Sequence, residues 1–180
     1  MSRADRARRT RFIRRARPDD WATVRDVRLA ALADAPGAFA MTLAGEASQP
    51  EAGWRARIGA LPWFLGFQDG QPAGMAAALP PRDGAGHGPG ETWHLVSMWV
   101  SPAARGGGLA DLLAGAVTEH ARQAGADRVT LWVAVGNDRA RGFYQRMGFT
   151  PTGRRQEYPR DGAAALDEEE FELKNPQPGP

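Results

Sequence analysis

Apolar residues recur along this chain with two spacings, one typical of buried strands and one typical of helices. The run Thr92–Val100 is apolar at most positions and predicts a strand. Residues Leu109–Ala121 instead repeat apolar side chains at helical spacing, which predicts a helix with one buried face. That face comprises Leu109, Leu112, Leu113, Ala116 and Val117. The run Arg128–Val135 predicts a second buried strand, so the three elements imply a βαβ crossover within a mixed sheet.

Shorter patterns predict the other elements of an alternating chain. The predicted helices cover residues 19–35, 50–58, 109–121 and 138–147. The predicted strands cover residues 11–17, 61–67, 72–79, 92–100, 128–135, 149–154 and 169–173. Asp69 and Gly70 form a hairpin signal between two of these strands. Residues 80–90 are rich in Pro and Gly and predict a flexible loop.

Length and composition predict one folded domain. The chain has 180 residues, of which 42% are hydrophobic, enough to bury a substantial core. No apolar run approaches the ~20 residues that span a bilayer, and the N-terminus lacks the apolar stretch of a secretory signal. The absence of cysteine excludes disulfides, a thiol nucleophile and thiolate metal ligands. We therefore expect a cytoplasmic protein with no membrane partner and no metal.

Positive charge is concentrated at the N-terminus. Eight arginines fall within the first seventeen residues, whereas the formal net charge of the whole chain is only +2. Such a block can bind nucleic acid, but no aromatic residue precedes Phe12 and no known nucleic-acid-binding fold accompanies it. A solvated tail is the favoured interpretation. We expect a basic, flexible tail over residues 1–10, one domain over 11–174 and a proline-rich tail over 175–180.

Arg105 and the three glycines that follow it stand between the strand Thr92–Val100 and the helix that begins at Leu109. The first four amides of a helix have no partner within it, and glycines leave them unshielded. Together with the helix dipole, these amides form a site suited to phosphate or pyrophosphate. The alternative is a tight turn without a ligand. The turn lacks the Lys-Ser/Thr pair of a P-loop and the spacing of G-x-G-x-x-G.

Two motifs in this chain resemble those of the GNAT superfamily of N-acetyltransferases. The first, Arg-x-x-Gly-x-Ala at Arg105, Gly108 and Ala110, is similar to the Q/R-x-x-G-x-G/A signature that binds the pyrophosphate of acetyl-CoA. The second follows the predicted strand 128–135 and comprises Asn137, Ala140, Tyr144, Gly148 and Phe149. The resemblance covers about residues 11–173. It implies an α+β fold with a central mixed, mostly antiparallel sheet flanked by helices.

The resemblance implies acetyl-CoA as cosubstrate. In the family, the strand before the pyrophosphate turn splays from its neighbour, and the pantetheine arm pairs with its backbone. The implied coenzyme-binding residues are Met98, Trp99, Val100, Arg105, Gly106, Gly107, Gly108, Leu109, Ala110, Asn137, Ala140 and Tyr144. The implied reaction is direct transfer to a primary amine in a ternary complex, in which Tyr144 protonates the departing thiolate. The acceptor is a small molecule or a peptide, and homodimers are common in the family.

His94 lies in the register where histone-acetylating members of the family carry a glutamate as general base. Because an unperturbed imidazole has a pKa near ~6.5, a histidine can take a proton from an amine at neutral pH. The alternative is a histidine that only lines the cleft. His87, in the predicted loop, and His120, on the predicted coenzyme helix, are weaker candidates.

Four carboxylates and three tryptophans have two interpretations each. The carboxylates Glu46, Glu51, Asp83 and Glu91 lie on the substrate side that the resemblance implies. Each could attract a cationic amine, but a solvated surface position is favoured. For Trp93, Trp99 and Trp132, a place in the core or the cleft wall is favoured over stacking on a cofactor.

Two functions of other classes remain as alternatives. One is a non-catalytic acyl-CoA-binding or regulatory module on the same fold, which the intact Tyr144 disfavours. The other is nucleic-acid binding through the basic N-terminus. The latter requires binding that weakens steeply with salt.

Overall fold

A seven-stranded sheet forms the centre of the protein, whose computed structural model describes residues 10–81, 91–159 and 164–174. The strands are β1 (Arg11–Arg15), β2 (Trp63–Gln68), β3 (Gln71–Leu79), β4 (Thr92–Val100), β5 (Arg128–Ala134), β6 (Thr150–Tyr158) and β7 (Leu166–Lys174). Their order in the sheet is β1-β2-β3-β4-β5-β7-β6. The pair β4 and β5 is parallel, and the other neighbouring pairs are antiparallel. The predicted mixed, mostly antiparallel sheet is confirmed.

Helices cover both faces of this sheet. They are α1 (Trp21–Asp34), α2 (Leu43–Ala47), α3 (Glu51–Ala60), α4 (Leu109–Gln123) and α5 (Asp138–Arg146). Helix α4 packs across β2, β3 and β4 and forms the crossover to β5. Helix α1 packs on β3 and β4 from the other face, with α2 and α3 against it. The short α2 was not predicted, because five residues are too few to display a helical period.

Successive residues of the central strands contribute their side chains to two separate apolar cores, one on each face of the sheet. On β3, Ala76 and Ala78 belong to the core under α4, whereas Met75 and Ala77 belong to the core under α1. This alternation follows from the pleat of a strand, which points successive side chains to opposite faces. Fully buried anchors of the two cores are Leu109, Leu113 and Val117 on one side and Val24, Leu32 and Trp54 on the other.

Leu112 is exposed, contrary to the predicted apolar face of α4. Its side chain is 45% exposed. The buried residues of α4 are Leu109, Leu113, Ala114, Val117 and Ala121. An α-helix turns by about 100° per residue, so these buried residues form an arc of the helix surface that is centred between Leu113 and Val117. Leu112 lies outside this arc. The small side chains of Ala114 and Ala121 let this face of α4 approach the sheet closely. The prediction was based mainly on large apolar residues and therefore included Leu112.

Several predicted boundaries differ from those of the structure. Strand β1 ends at Arg15, and β6 and β7 extend beyond the predicted ranges. Asp69 and Gly70 form the expected hairpin turn, with φ angles of 53° and 76°. Residues 82–90 of the predicted loop, residues 1–9 and residues 175–180 lie outside the described part of the chain. Among the described helices, none is long and apolar enough to cross a membrane.

Gly74 of β3 and Gly115 of α4 differ in the space around them. A Cβ at Gly74 would lie 2.8 Å from the carbonyl oxygen of Trp99, whereas a Cβ at Gly115 would meet nothing within 4 Å. We expect Gly74→Ala to lower the free energy of unfolding by about 1–3 kcal/mol because the β3–β4 backbone must move. The control, Gly115→Ala, should raise it by up to about 1 kcal/mol. Denaturant titration measures both, and an unchanged stability of Gly74→Ala would contradict the close approach.

Candidate active site

The parallel strands β4 and β5 separate soon after they pair. Their registered pairs run from Thr92 with Arg128 to His94 with Thr130, and no further pair follows. Beyond this point β4 follows β3, through a bulge in which Ser97 has a φ of 57°. Strand β5 pairs with β7 on its other edge over its whole length, from Arg128 to Ala134, so its edge toward β4 has no strand partner after Thr130. An opening therefore runs through the sheet between β4 and β5, bordered by backbone groups of both strands.

A cavity of about 700 Å³ lies beside the turn that joins β4 to α4. In this turn Gly106 and Gly108 have φ angles of 72° and 88°, a left-handed conformation that glycine adopts without strain. Gly108 directly precedes the helix, so the turn leads into the unpaired amides of α4. The predicted coenzyme residues that border this cavity are Met98, Trp99, Val100, Arg105, Gly106, Gly108, Ala110, Asn137, Ala140 and Tyr144.

Two predicted coenzyme residues, Gly107 and Leu109, do not border this cavity. The side chain of Leu109 is fully buried in the core under α4. Gly107 faces Arg11 of β1, and a Cβ there would lie 2.7 Å from the Nη2 atom of that arginine. Only the backbone amides of Gly107 and Leu109 are therefore candidates for contact with a ligand in this turn.

Asp34, at the end of α1, fixes the side chains of Arg105 and Trp99. Its carboxylate accepts a hydrogen bond of 2.9 Å from Trp99 Nε1 and pairs with the Arg105 guanidinium. Arg105 Nε also donates to the carbonyl oxygen of Val100 at 2.9 Å. The hydrogen bond from Trp99, together with Arg105, holds the pKa of Asp34 below its usual value. Sequence reasoning missed Asp34, because its partners lie far away along the chain.

The second motif forms the other wall of the cleft. Asn137 caps α5, since its Oδ1 accepts a hydrogen bond of 3.1 Å from the Ala140 amide. The helix presents Tyr144, which is 6% exposed and packs edge-on against Phe143 and Phe149. Burial raises the pKa of the Tyr144 phenol well above its usual range. The hydroxyl is therefore protonated at neutral pH.

A second cavity, of about 650 Å³, adjoins the first. It lies between the sheet and the segment that follows α1. Its lining includes Arg28, His94, Arg154, Gln156, Glu168 and Glu170. The residues that border both cavities are Ala38, Phe39, Met98, Asn137, Ala140 and Tyr144. The two cavities therefore form one cleft that meets beside Tyr144.

His94 borders this second cavity. Its Nδ1 lies 2.6 Å from the hydroxyl oxygen of Thr130, the residue opposite it on β5. The bulge at Ser97 begins only after His94, so it does not turn the imidazole away from the cleft. This hydrogen bond fixes the orientation of the imidazole at the border of the second cavity.

Two carboxylates of β7, Glu168 and Glu170, border the same cavity and were not predicted from the sequence as site residues. Glu170 is buried, accepts a hydrogen bond of 2.9 Å from the Thr152 hydroxyl and pairs with Arg154 at 3.2 Å. Glu168 accepts a hydrogen bond of 2.8 Å from Gln156 Nε2. Burial raises the pKa of Glu168. The alternation of side chains along β7 could have indicated both carboxylates. Glu168 and Glu170 lie on the strand face toward the cavity, whereas Phe171 lies on the opposite face, in the core.

The predicted acidic candidates lie elsewhere. Glu46 is 1% exposed and pairs with Arg28 and Arg57, so its interpretation as a solvated carboxylate is wrong. It does not border either cavity and does not face an acceptor. Glu51 is exposed and pairs with Arg55. Glu91 precedes β4 and borders neither cavity, and Asp83 lies outside the described residues.

The remaining histidines and tryptophans also lie apart or in the walls. His120 packs edge-on against Phe64 and Trp93, away from both cavities, and His87 lies outside the described residues. Trp93 is in the core under α4. Trp99 and Trp132 line the cleft. Within the described part of the chain, no group of three or more His, Asp and Glu side chains is placed to hold a metal ion.

Comparison with known proteins relates this cleft to one family. Residues 29–149 match the Acetyltransferase (GNAT) family. The match begins within α1 and ends at the residue before β6, so it includes both motifs and most of the cleft.

Solved structures with the same fold span nearly the whole chain. The yncA protein of Salmonella typhimurium, solved with its cofactor acetyl-CoA, has a TM-score of 0.73 and 22% identity, covering 95% of this chain and 98% of that one. NAA60 of Arabidopsis thaliana, solved with a bisubstrate analogue, has a TM-score of 0.70 and 18% identity, covering 93% and 100%. The ribosomal-protein-alanine N-acetyltransferase of Brucella melitensis has a TM-score of 0.65 and 25% identity, covering 91% and 99%.

A curated relative matches over a shorter stretch. The mycothiol acetyltransferase of Beutenbergia cavernae is 37% identical over 67 residues. This stretch is 37% of the present chain and 23% of that protein. The chain thus matches less than a quarter of the length of this relative.

Proposed function

The chain belongs to the acetyltransferase (GNAT) family, and we propose that it transfers the acetyl group of acetyl-CoA directly to a primary amine. The observation that carries this proposal is the single cleft in which two cavities meet at Tyr144. Substrates on either side would contact each other there, which favours a ternary complex. The absence of cysteine also excludes a cysteine-bound acetyl intermediate.

The first cavity suits the coenzyme. The left-handed glycines Gly106 and Gly108 leave the amides at the start of α4 open to a pyrophosphate, and the helix dipole favours its negative charge. Asp34 and the Val100 carbonyl hold Arg105 beside this turn. The extended pantetheine arm would enter the opening between β4 and β5 and pair with the backbone of Met98 and Val100. Asn137 and Ala140 form the facing wall.

The second cavity would hold the acceptor, a small molecule or a peptide with a primary amine. His94 takes a proton from the amine, directly or through a water. The amine nitrogen attacks the acetyl carbonyl carbon, and an amide N–H near Met98 or Trp99 polarises the carbonyl oxygen. The C–S bond then breaks, and the Tyr144 phenol gives its proton to the departing thiolate. The proton that the new amide nitrogen loses restores the phenol, directly or through a water, and His94 returns its own proton to solvent.

A screen of acceptor amines with acetyl-CoA, monitored by thiol release, tests the proposal. Release of free coenzyme A that depends on an added amine supports acetyl transfer. Coenzyme binding without turnover over a broad panel would favour the non-catalytic module instead. Steeply salt-dependent binding to DNA or RNA, lost on removal of residues 1–11, would favour the nucleic-acid alternative.

Gly108→Glu should weaken acetyl-CoA binding strongly, because its side chain would occupy the space of the pyrophosphate. Gly125→Glu is a matched control. Both glycines have similar positive φ angles, 88° and 85°, and open space around their Cβ positions, but only Gly108 borders the cavity. Calorimetry should detect the loss in the first variant alone. Equal affinities in both variants would place the phosphate site elsewhere.

Tyr144→Phe should lower turnover ~10²-fold, because it keeps the packing and removes the proton donor. The affinity for acetyl-CoA should stay nearly unchanged. Single-turnover kinetics, in which chemistry limits the rate, measures the first quantity and calorimetry the second. Wild-type turnover of the variant would leave Tyr144 as a packing residue only.

His94→Gln should remove the lower inflection of the pH–rate profile and cost ~10²-fold in rate, because an amide can hydrogen-bond but cannot take the proton. In the wild type, the rate should rise with pH as the general base loses its proton. His120→Gln is the control, since His120 borders neither cavity. A His94→Gln variant that keeps both full activity and the inflection would rule out His94 as the base.

A further inference from the structure

Arg28 of α1 borders the acceptor cavity with a guanidinium that is only partly satisfied. Its side chain is 6% exposed, and its Nη1 atom is buried with no hydrogen-bond partner among the residues that the structure describes. A buried donor without a partner costs free energy, so such groups ordinarily meet a ligand, a water or an ion. The adjoining cavity is the place from which a ligand could reach it.

The charges around Arg28 do not cancel. Arg28 Nε lies 3.3 Å from Glu46 Oε1, and Arg57 Nη1 lies 2.7 Å from Glu46 Oε2. One buried carboxylate therefore serves two guanidinium groups and leaves one positive charge in excess. Water can reach Arg57, which is 28% exposed, but not the buried Nη1 atom of Arg28, so an anionic group is favoured beside Arg28.

The sheet side of the same cavity carries the opposite charge. Glu168 accepts a hydrogen bond from the neutral Gln156 and makes no ion pair with a described residue. Its neighbour Glu170 is already paired with Arg154. The cavity therefore offers a carboxylate for an ammonium on one side and a guanidinium for an anion on the other.

We propose that the acceptor is a small zwitterion, which places a carboxylate at Arg28 and its amine between Glu168 and His94. This inference rests on the proposed acetyl transfer and specifies its substrate class. A polyamine would bring only positive charge and would leave the Nη1 atom of Arg28 without a hydrogen-bond partner. An amino amide or a peptide would offer a neutral carbonyl oxygen, which forms a weaker hydrogen bond than a carboxylate does.

Arg28→Met and Arg57→Met form a matched pair of variants. Both arginines pair with Glu46, and both stack on an aromatic ring, Arg28 on Phe39 at 4.7 Å and Arg57 on Trp54 at 4.6 Å. Either substitution leaves Glu46 paired with one arginine. Only Arg28 borders the cavity, and a role in packing alone would affect both variants alike.

The test compares L-amino acids with their amides as acceptors, using thiol release from acetyl-CoA. The wild type should prefer acids, by the ratio of their kcat/KM values. Arg28→Met should lower this ratio about 10- to 100-fold, the effect of one hydrogen bond to a charged group, whereas Arg57→Met should keep it. If Arg28→Met does not fold, Arg28→Lys should lower the ratio about 10-fold, because lysine lacks the planar fork.

Three outcomes would overturn the inference. Acetylation of amides or of spermidine as efficiently as of acids would exclude a zwitterion and leave the proposed transfer intact. An equal fall of the ratio in the Arg28 and Arg57 variants would assign Arg28 a structural role. Failure of every probe, acid or amide, would overturn the proposed transfer as well.

The amine side of the cavity has its own matched test. Glu168→Gln should raise KM about 10-fold for acids and amides alike, because both carry the ammonium. Glu172→Gln is the control, since Glu172 lies on the same strand, pairs with Arg128 and Lys174 and does not border the cavity. An unchanged KM in Glu168→Gln would remove Glu168 from the acceptor site.

Discussion

The separation of two parallel strands is the constraint on which the rest of this structure depends. Strands β4 and β5 share only the pairs from Thr92 to His94, and β4 then follows β3 through the bulge at Ser97. Backbone N–H and C=O groups need partners, and those facing the opening can obtain them from an extended ligand. The same opening joins the two faces of the sheet, so that two cavities meet at Tyr144.

Helix α1 connects the two halves of this cleft through charge. At its end, Asp34 pairs with Arg105 and accepts a hydrogen bond from Trp99, which fixes one wall of the coenzyme side. Earlier on the same helix, Arg28 pairs with the buried Glu46 and borders the second cavity. Because Arg28 and Glu46 are buried, their interaction is stronger than that of a surface ion pair and orients the side chains around it.

The helices and strands were largely predictable, because their signals are local. The run of β4, the hairpin turn at Asp69 and the cap of α5 at Asn137 each depend on residues a few positions apart. The orientation of α4 about its own axis could not be predicted to within one residue. It depends on the small Ala114 and Ala121, which determine how closely the helix approaches the sheet. Leu112 therefore turned outward although its spacing fits an apolar face.

The sequence by itself determined the family, the fold class and the two motifs that border the coenzyme side, because each motif is a short pattern with a fixed spacing. Only the tertiary structure decided which charged groups face the cleft. Glu46 is a buried partner of Arg28, and Glu168 borders the second cavity from β7, a strand for which the sequence predicted no role in the site. Burial and ion pairing of a side chain depend on residues far apart in sequence, and no local periodicity records them.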